Sequence, residues 1–414
     1  MTEAPERIVV VGGGLAGGKA VEALRAHGFT GDLTLVGEEN HLPYERPPLS
    51  KGYLMGQSPF EDAVLHPAQW YDEQDVRLRL GTRAEAVDLD GHLVRLADGA
   101  AALRFDRLLL ATGATPRRLP VPGADAGGVH YLRTREDADA VRSTFGSGRR
   151  LAIVGGGWIG LEVAAAARQA GTDVTLVEQA QLPLLAVLGA ELAQPFAELH
   201  AAHGVDLRLG TGLREVTVAD GRTSGLLLAD GATVAADAVV VGIGVLPNVR
   251  LAESAGLDVD NGVLVDGALR SSHPDVFAVG DIANHAHPVL GMRVRVEHWA
   301  TALNQPAAAA AAMLGGDAVY DELPYFYSDQ YDLGMEYIGH APPGSYARVV
   351  VRGDLAAREF VAFWLDDGDR LKAAMNVNVW DVVDEVKPFI RSGDPVDPAR
   401  LADPSVPFAD VARP

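Results

Sequence analysis

The sequence predicts an α/β protein in which one strand–helix–strand unit occurs twice and a smaller α/β domain follows. The apolar runs Ile8–Val11 and Leu151–Val154 each meet a glycine cluster, and a helical pattern follows each cluster. A second apolar strand, Leu33–Val36 or Val174–Val177, then completes each unit. From Tyr320 the pattern changes to aromatic residues and alternating strands, which indicates a third domain.

Both glycine clusters have the spacing Gly-x-Gly-x-x-Gly. The first consists of Gly12, Gly14 and Gly17, and the second of Gly155, Gly157 and Gly160. The first glycine permits a tight turn, the second lets backbone N–H groups approach a pyrophosphate, and the third lets the helix pack on the strand. The helix amino terminus adds oriented donors and a positive dipole end. One such motif also occurs in plain turns, but two in the same context predict two Rossmann-like dinucleotide sites.

An acidic residue follows each unit and indicates which nucleotide is bound. Glu38 and Glu178 end the second strands, where a carboxylate accepts hydrogen bonds from a ribose. The amino-terminal fingerprint is typical of a tightly held FAD, and the inserted one of a nicotinamide cofactor that exchanges. Gln179 and Ala180 follow Glu178 with no arginine or lysine nearby. A carboxylate there repels a 2′-phosphate, so NADH is favoured over NADPH.

The repeat continues beyond the two units. Hairpin-type turns at Asp90-Gly91 and Asp98-Gly99 have counterparts at Asp220-Gly221 and Asp230-Gly231. Each meander leads to an apolar strand that stops at glycine. We therefore predict an FAD-binding domain over 1–112 and 239–319, an NAD-binding domain over 113–238, and a C-terminal α/β domain over 320–414. Pro306 is expected to open a helix whose alanine run, Ala307–Ala312, packs closely on a neighbour.

Composition excludes several classes of protein. The chain has no cysteine, which removes disulfides, iron–sulfur ligation and cysteine nucleophiles. Its formal charge of −21 argues against binding nucleic acid or an anionic membrane. No apolar run approaches the roughly 18 residues that span a bilayer. No signal peptide is apparent, since a strand begins near Ile8, so we expect a cytoplasmic protein.

Several segments together resemble a known family. The segment Val9–Gly17, the run Tyr44-Glu45-Arg46-Pro47-Pro48-Leu49-Ser50-Lys51, Gly155–Glu162, Val296-Glu297-His298-Trp299 and Ser328-Asp329-Gln330-Tyr331 are similar to the ferredoxin and rubredoxin reductases that serve cytochrome P450 and Rieske oxygenase systems. The resemblance spans essentially all 414 residues. It implies two Rossmann-like domains of the glutathione-reductase type and a smaller C-terminal α/β domain.

The resemblance also implies site residues. Those expected around FAD are Gly12, Gly14, Leu15, Ala16, Gly17, Glu38, Arg46, Pro47, Lys51, Ala84, Ala111, Thr112, Gly113, Arg133, Gly280, Asp281, Glu297, His298, Trp299 and Tyr327. Those expected around NAD are Gly155, Gly157, Trp158, Ile159, Gly160, Glu162, Glu178, Ile243 and Gly244. Lys51 and Glu162 are expected to face each other near the flavin and nicotinamide rings and to act in catalysis.

The activity implied is hydride transfer from NADH to FAD, followed by transfer of single electrons to a [2Fe–2S] ferredoxin, with rubredoxin a less favoured carrier. Lys51 would stabilise negative charge on the flavin, and Glu162 would hold the lysine. One departure concerns the partner contact or electron path, because Tyr327 stands where the family usually has tryptophan.

Alternatives remain at this point. The flavin of an NADH oxidase, or of a quinone or monodehydroascorbate reductase, would need no protein partner. A redox-sensing interaction protein like the flavoprotein apoptosis factors is a second alternative. Disulfide reductases share the architecture, but the lack of cysteine excludes their chemistry. His285 and His287 form a weak metal-ligand pattern inside a segment that matches a cofactor loop, so no metal is expected. The sequence does not decide the oligomeric state.

Overall fold

The computed structural model describes residues 5–97 and 99–413, and the chain divides into two compact units. Unit 1 consists of Met1–Arg46, Phe60–Thr115 and Leu246–Pro324, and unit 2 of Pro47–Pro59, Pro116–Val245 and Tyr325–Pro414. The three predicted domain boundaries stay a prediction.

The strands follow one another in short segments along the chain. In order they are β1 Arg7–Val11, β2 Asp32–Val36, β3 Val76–Arg79, β4 Ala84–Asp88, β5 Leu93–Leu96, β6 Leu103–Arg104, β7 Arg107–Leu110, β8 Ala114–Pro116, β9 Val129–Tyr131, β10 Arg150–Val154, β11 Asp173–Glu178, β12 Asp206–Leu209, β13 Leu213–Ala219, β14 Arg222–Leu228, β15 Thr233–Ala235, β16 Ala238–Val241, β17 Val245–Pro247, β18 Val263–Val265, β19 Val276–Ala278, β20 Ala283–His287, β21 Met292–Val294, β22 Tyr325–Gln330, β23 Leu333–Gly339, β24 Arg348–Asp354, β25 Glu359–Leu365 and β26 Leu371–Val377.

The α-helices lie between these strands and after the last of them. They are α1 Leu15–Ala26, α2 Ala68–Glu73, α3 Arg135–Arg142, α4 Trp158–Gln169, α5 Leu185–Ala202, α6 Arg250–Ser254, α7 Trp299–Met313, α8 Val382–Ser392 and α9 Pro398–Ala402. Short 3₁₀ turns occur at Pro47–Ser50, Phe60–Ala63, Gly280–Ile282 and Phe408–Asp410.

Unit 1 is built on a parallel sheet with the strand order β19-β7-β1-β2-β3. Its central strands are almost wholly apolar because both faces are covered, and Val10 and Leu109 are fully buried. The small residues of α7 let it pack closely on α1, as the alanine run predicts, and Ala309 and Ala310 are buried. Two three-stranded sheets, β4-β5-β6 and β18-β20-β21, complete the unit.

Unit 2 contains a second parallel sheet, in the order β12-β11-β10-β16-β9. In the antiparallel sheet β13-β14-β15, the predicted turn at Asp220-Gly221 joins β13 to β14, and the one at Asp230-Gly231 joins β14 to β15. Residues from Tyr325 onward form the antiparallel sheet β22-β23-β26-β25-β24, on which α8 packs. The predicted fold class of two Rossmann-like domains and a smaller C-terminal α/β domain is confirmed.

The hairpin predicted at Asp90-Gly91 joins the antiparallel pair β4 and β5, whereas Asp98 of the other predicted turn lies outside the described residues. The prediction that Pro306 opens a helix is wrong, because α7 begins at Trp299 and Pro306 lies inside it. Residues 299–305 contain no helix breaker, so the helix begins before the proline. It tolerates the loss of the one backbone hydrogen bond that Pro306 cannot donate.

Candidate functional site

The first glycine loop joins β1 to α1 in unit 1 and has the geometry of a pyrophosphate cradle. Gly12 has φ +126°, and a Cβ there would lie 2.0 Å from the carbonyl oxygen of Ala111. A Cβ on Gly17 would lie 1.9 Å from the oxygen of Gly12. A Cβ on Gly14, in contrast, would meet nothing nearer than Arg46 Nη2, at 3.8 Å. The fold therefore requires glycine at positions 12 and 17. Gly14 instead leaves the backbone open at the helix amino terminus, which fits a dinucleotide.

The second loop, between β10 and α4 in unit 2, repeats this geometry. Gly155 has φ +106°, and an added Cβ would lie 2.4 Å from the oxygen of Gly242. A Cβ on Gly160 would lie 2.1 Å from the oxygen of Gly155, whereas one on Gly157 would meet nothing nearer than 4.0 Å. Each unit thus carries one open cradle, and each fits a dinucleotide by the same steric criterion.

The predicted ribose-binding acids differ in their surroundings. In unit 1, Glu38 is exposed two residues after β2, and the neighbouring Glu39 accepts hydrogen bonds from Tyr44 and from Arg46 Nη2, at 2.5 and 2.8 Å. In unit 2, the Glu178 carboxylate accepts hydrogen bonds from Gly156 N and Ala180 N, at 2.7 and 2.8 Å. Glu178 therefore holds the glycine loop while keeping lone pairs for a ribose hydroxyl.

The strand registers explain this difference. Val11 pairs with Val36 in unit 1, and Val154 pairs with Val177 in unit 2. Glu178 consequently occupies the place of Gly37, and Glu38 matches the next position, Gln179. The two acids are not equivalent in structure, although the sequence places both about 20 residues beyond their glycines.

Replacement of Glu178 by glutamine is expected to raise the Michaelis constant for NADH about tenfold and to weaken the preference over NADPH, because a charged acceptor for the ribose is lost. The amide oxygen can still accept from Gly156 N or from Ala180 N, but not from both, so the fold is retained with a small loss of stability. The measurement is kcat/KM with each nucleotide, and the exposed Glu191→Gln is the control. An unchanged NADH/NADPH ratio would refute the role of Glu178.

Further predicted FAD residues of unit 1 lie around the first loop. Gly280 has φ +75°, its N–H donates to Gln305 Oε1 at 2.8 Å, and an added Cβ would lie 3.2 Å from the Cβ of Ala16. The loop after β7 is fixed by Asn248, whose amide donates to the carbonyl oxygen of Thr112 at 2.7 Å. These contacts bring the ends of β1, β7 and β19 together, as expected for parallel strands of one sheet.

The remaining predicted residues lie elsewhere in the two units. In unit 1, Ala84 opens β4 of a small sheet, Trp299 begins α7 after His298, and Glu297 pairs with Arg295 at 2.5 Å. In unit 2, Arg133 N donates to Asp137 Oδ2 at 3.0 Å beside the amino-terminal cap of α3.

The first turn of α4 also carries apolar side chains predicted to contact NAD. Ile159 is 44% exposed, which leaves its side chain accessible, and its contact with NAD stays a prediction. Trp158 packs edge-on against Phe196 and Phe326. Ile243 and Gly244 follow β16, where the carbonyl oxygen of Gly244 accepts a hydrogen bond from Arg117 N.

The two predicted catalytic residues form an ion pair within unit 2. Lys51 follows the 3₁₀ turn Pro47–Ser50, and Glu162 lies on α4. Lys51 Nζ donates to Glu162 Oε1 at 2.8 Å, and the side chains are 16% and 3% exposed. The lysine ammonium also lies 5.1 Å from the centroid of the Tyr327 ring, a cation–π distance that either a phenol or an indole supports.

Two serines that lie in the family-like segments, and for which the sequence predicts no role, complete this arrangement. Ser50 Oγ donates to Glu162 Oε2 at 2.5 Å, and Ser328 Oγ donates to Glu162 Oε1 at 2.7 Å. A buried carboxylate is stable only when its charge is compensated, and Glu162 has two hydroxyl donors and an ammonium. The pair can therefore hold a fixed positive charge at Lys51. Its catalytic role stays a prediction.

The paired histidines of unit 1 are buried side chains of β20. His285 and His287 are 1% and 2% exposed, and burial lowers the pKa of His285 to about 4. Among the described residues, no group of three or more histidine, cysteine, aspartate or glutamate side chains is arranged to hold a metal. Within the same residues, we find no helix with the length and apolarity required to cross a bilayer.

The fold and the two cradles define a class of protein, a flavoprotein oxidoreductase with one site for FAD and one for NADH. Residues 6–306 match the pyridine nucleotide-disulphide oxidoreductase family, and residues 325–412 match the reductase C-terminal domain. The chain belongs to the pyridine nucleotide-disulphide oxidoreductase family. It has none of the cysteines to which the family name refers.

The chain is similar to ferredoxin reductases over nearly its full length. The chain is 44% identical to the ferredoxin–NAD(+) reductase component of the anthranilate 1,2-dioxygenase system of Burkholderia cepacia, covering 96% of this chain and 97% of the relative. It is 40% identical to putidaredoxin reductase of Pseudomonas putida, covering 99% and 97%. The crystal structure of the covalent putidaredoxin reductase–putidaredoxin complex matches with a TM-score of 0.94 at 38% identity, covering 99% and 98% of the chains.

Proposed function

We propose that this protein is an NADH-dependent ferredoxin reductase that passes electrons through FAD to a [2Fe–2S] ferredoxin serving an oxygenase. The observation that carries the proposal is the similarity, over 96% of the chain, to a dioxygenase reductase component at 44% identity. The Lys51–Glu162 pair adds a chemical reason, since the buried carboxylate holds a positive charge beside α4, the helix that begins at the second glycine loop. The cytoplasmic location expected from the sequence stays a prediction.

Bound FAD supplies the conversion of a two-electron hydride into single electrons, and the chain supplies binding, position and charge. The cradles at Gly14 and Gly157 bind pyrophosphates through backbone N–H groups at helix amino termini. Glu178 fixes the loop by accepting from Gly156 N, and it would accept a hydrogen bond from the adenosine ribose of bound NADH. The ammonium of Lys51, held by Glu162, stabilises negative charge that develops next to it.

The chain cannot perform thiol–disulfide chemistry. Disulfide reductases of this architecture pass electrons through a cysteine pair, and this sequence contains no cysteine. The chain therefore offers no internal thiol acceptor, and electrons supplied by bound FAD would require an external one. The proposed acceptor is an iron–sulfur protein, and the small-acceptor oxidase or quinone reductase is the alternative outcome of the test.

The test is anaerobic. The purified yellow protein is reduced with NADH and mixed with a [2Fe–2S] ferredoxin from the same genome, and in parallel with a rubredoxin. We expect rapid loss of flavin absorbance followed by rapid reduction of the ferredoxin. Rapid flavin reduction without transfer to either carrier, combined with fast reoxidation by air or a small quinone, would refute the proposal in favour of the small-acceptor alternative.

A further inference from the structure

A chain of hydrogen bonds leads away from Glu162 inside unit 2. Ser328 Oγ lies 2.7 Å from Glu162 Oε1, and Gln330 Nε2 lies 3.1 Å from Ser328 Oγ. Gln330 Oε1 lies 3.0 Å from His200 Nε2 on α5, and the hydroxyl of Tyr331 lies 3.5 Å from His200 Nδ1. Five side chains are thus joined from the ion pair to the end of β22.

The direction of every bond in this chain is fixed by chemistry. An ionised carboxylate only accepts, so Ser328 must spend its one hydroxyl proton on Glu162. Ser328 can then only accept from Gln330, which places the amide nitrogen toward the serine. The carbonyl oxygen of Gln330 therefore faces His200 and requires a proton on His200 Nε2. All the donors point toward the carboxylate.

The state of His200 completes this directed chain. His200 is fully buried, and burial lowers its pKa to about 4, so the imidazole is neutral near pH 7. A neutral ring protonated at Nε2 has a bare Nδ1, which accepts from the Tyr331 hydroxyl. His203 stacks on Tyr331 with ring centroids 3.7 Å apart and holds that phenol in place.

Because these hydrogen-bonded side chains are buried, each of them depends on its partner. Ser328 and Gln330 are each 1% exposed, so a donor that lost its partner would find no water. Polar groups in such surroundings interact strongly and resist reorientation. The Glu162 carboxylate is thus held from one side by Ser50 and from the other by a series of aligned dipoles.

We propose that Ser328, Gln330 and His200 are positioning residues for hydride transfer, which fix the Glu162 carboxylate and through it the Lys51 ammonium. This inference rests on the proposed roles of Lys51 and Glu162. The three residues act on the reaction through the carboxylate. Small displacements of a positioned group have large kinetic effects, so a loosened carboxylate lowers the rate without altering NADH binding.

The kinetic test compares Gln330→Met, which keeps the side-chain length but removes both hydrogen bonds, with Glu162→Gln and the double variant. We expect Gln330→Met to lower the single-turnover rate of flavin reduction about tenfold, with the NADH dissociation constant and the FAD content unchanged. In the Glu162→Gln background the same change should cost less than about twofold, because the carboxylate it positions is gone. Additive losses in the double variant would overturn the inference and indicate a general structural effect.

Ser328→Ala provides a second, smaller break in the chain in case Gln330→Met does not fold. It removes the hydroxyl that links Gln330 to Glu162. We expect the same tenfold loss in the rate of flavin reduction, and the same lack of additivity with Glu162→Gln. Gln194→Met is the matched control, because Gln194 is an exposed glutamine of α5 whose side chain donates to Glu198 and to none of these residues. Its rate should equal that of the natural protein.

A spectroscopic test examines the chain without turnover. In protein labelled with ¹⁵N at histidine, the signals lost in His200→Gln identify the His200 ring, and we expect the Nε2–H neutral tautomer at neutral pH. A proton on Nδ1 alone, or a cationic ring, would overturn the directed chain. If Glu162→Gln itself leaves flavin reduction unchanged, the proposed role of the ion pair fails, whereas a slow Glu162→Gln with a normal Gln330→Met refutes only the positioning role.

Discussion

Replacement of Lys51 by methionine is expected to slow the reduction of the flavin by NADH about 100-fold at saturating NADH. The variant removes the ammonium that donates to the Glu162 carboxylate at 2.8 Å, and with it the positive charge beside the Tyr327 ring. Ser50 and Ser328 remain as the donors to a carboxylate that is only 3% exposed. The loss therefore combines missing charge at the reaction centre with a poorly compensated buried anion.

The measurement is single-turnover reduction of the flavin under anaerobic conditions, with FAD content and thermal stability recorded for each variant. Glu162→Gln should produce a loss of similar size, because the lysine is then no longer held by a charge. Lys387→Met is the matched control, since Lys387 is a partly exposed lysine of α8 that pairs with Asp384. A Lys51→Met rate equal to that of the control would contradict the catalytic role of the pair.

The two cradles were predictable because the constraint that produces them is local. A Cβ added at Gly12 or at Gly17 would lie 2.0 or 1.9 Å from a backbone carbonyl oxygen, so each position requires glycine. This requirement appears in the sequence as a fixed spacing of glycines. The parallel strands were predictable for a similar reason, since strands buried on both faces are continuous apolar runs such as Ile8–Val11. The fold class followed from these two signals.

The hydrogen-bond chain was not predictable in the same way. Ser328 and Gln330 are two residues apart on β22, so their side chains lie on the same face of the strand. Their spacing in the sequence does not predict that His200 on α5 contacts Gln330. The one-residue offset between Glu38 and Glu178 was hidden as well, because it depends on strand register. The helix start predicted at Pro306 is wrong for a similar reason. Proline favours the first turn of a helix, but packing on α1 stabilises α7 through Pro306.

Substitution of alanine at Gly157 and at Gly160 is expected to separate nucleotide binding from folding. At Gly157 the added methyl meets no protein atom within 4.0 Å, and the backbone has φ −81°, which alanine adopts freely. Gly157→Ala should therefore fold normally and retain FAD. Because its methyl occupies the open side of the cradle, the dissociation constant for NADH should rise at least about tenfold.

At Gly160 the same methyl would lie 2.1 Å from the carbonyl oxygen of Gly155, a backbone atom that cannot move without opening the turn. Gly160→Ala should therefore lower the free energy of unfolding by about 1–3 kcal/mol or more and weaken NADH binding as a consequence. Denaturant unfolding and an NADH titration of both variants are the measurements. Equal stability of the two variants would contradict the steric role of Gly160. Tight NADH binding by Gly157→Ala would mean that the open side of the second loop does not face the pyrophosphate, and the assignment of this loop to NADH would then be wrong.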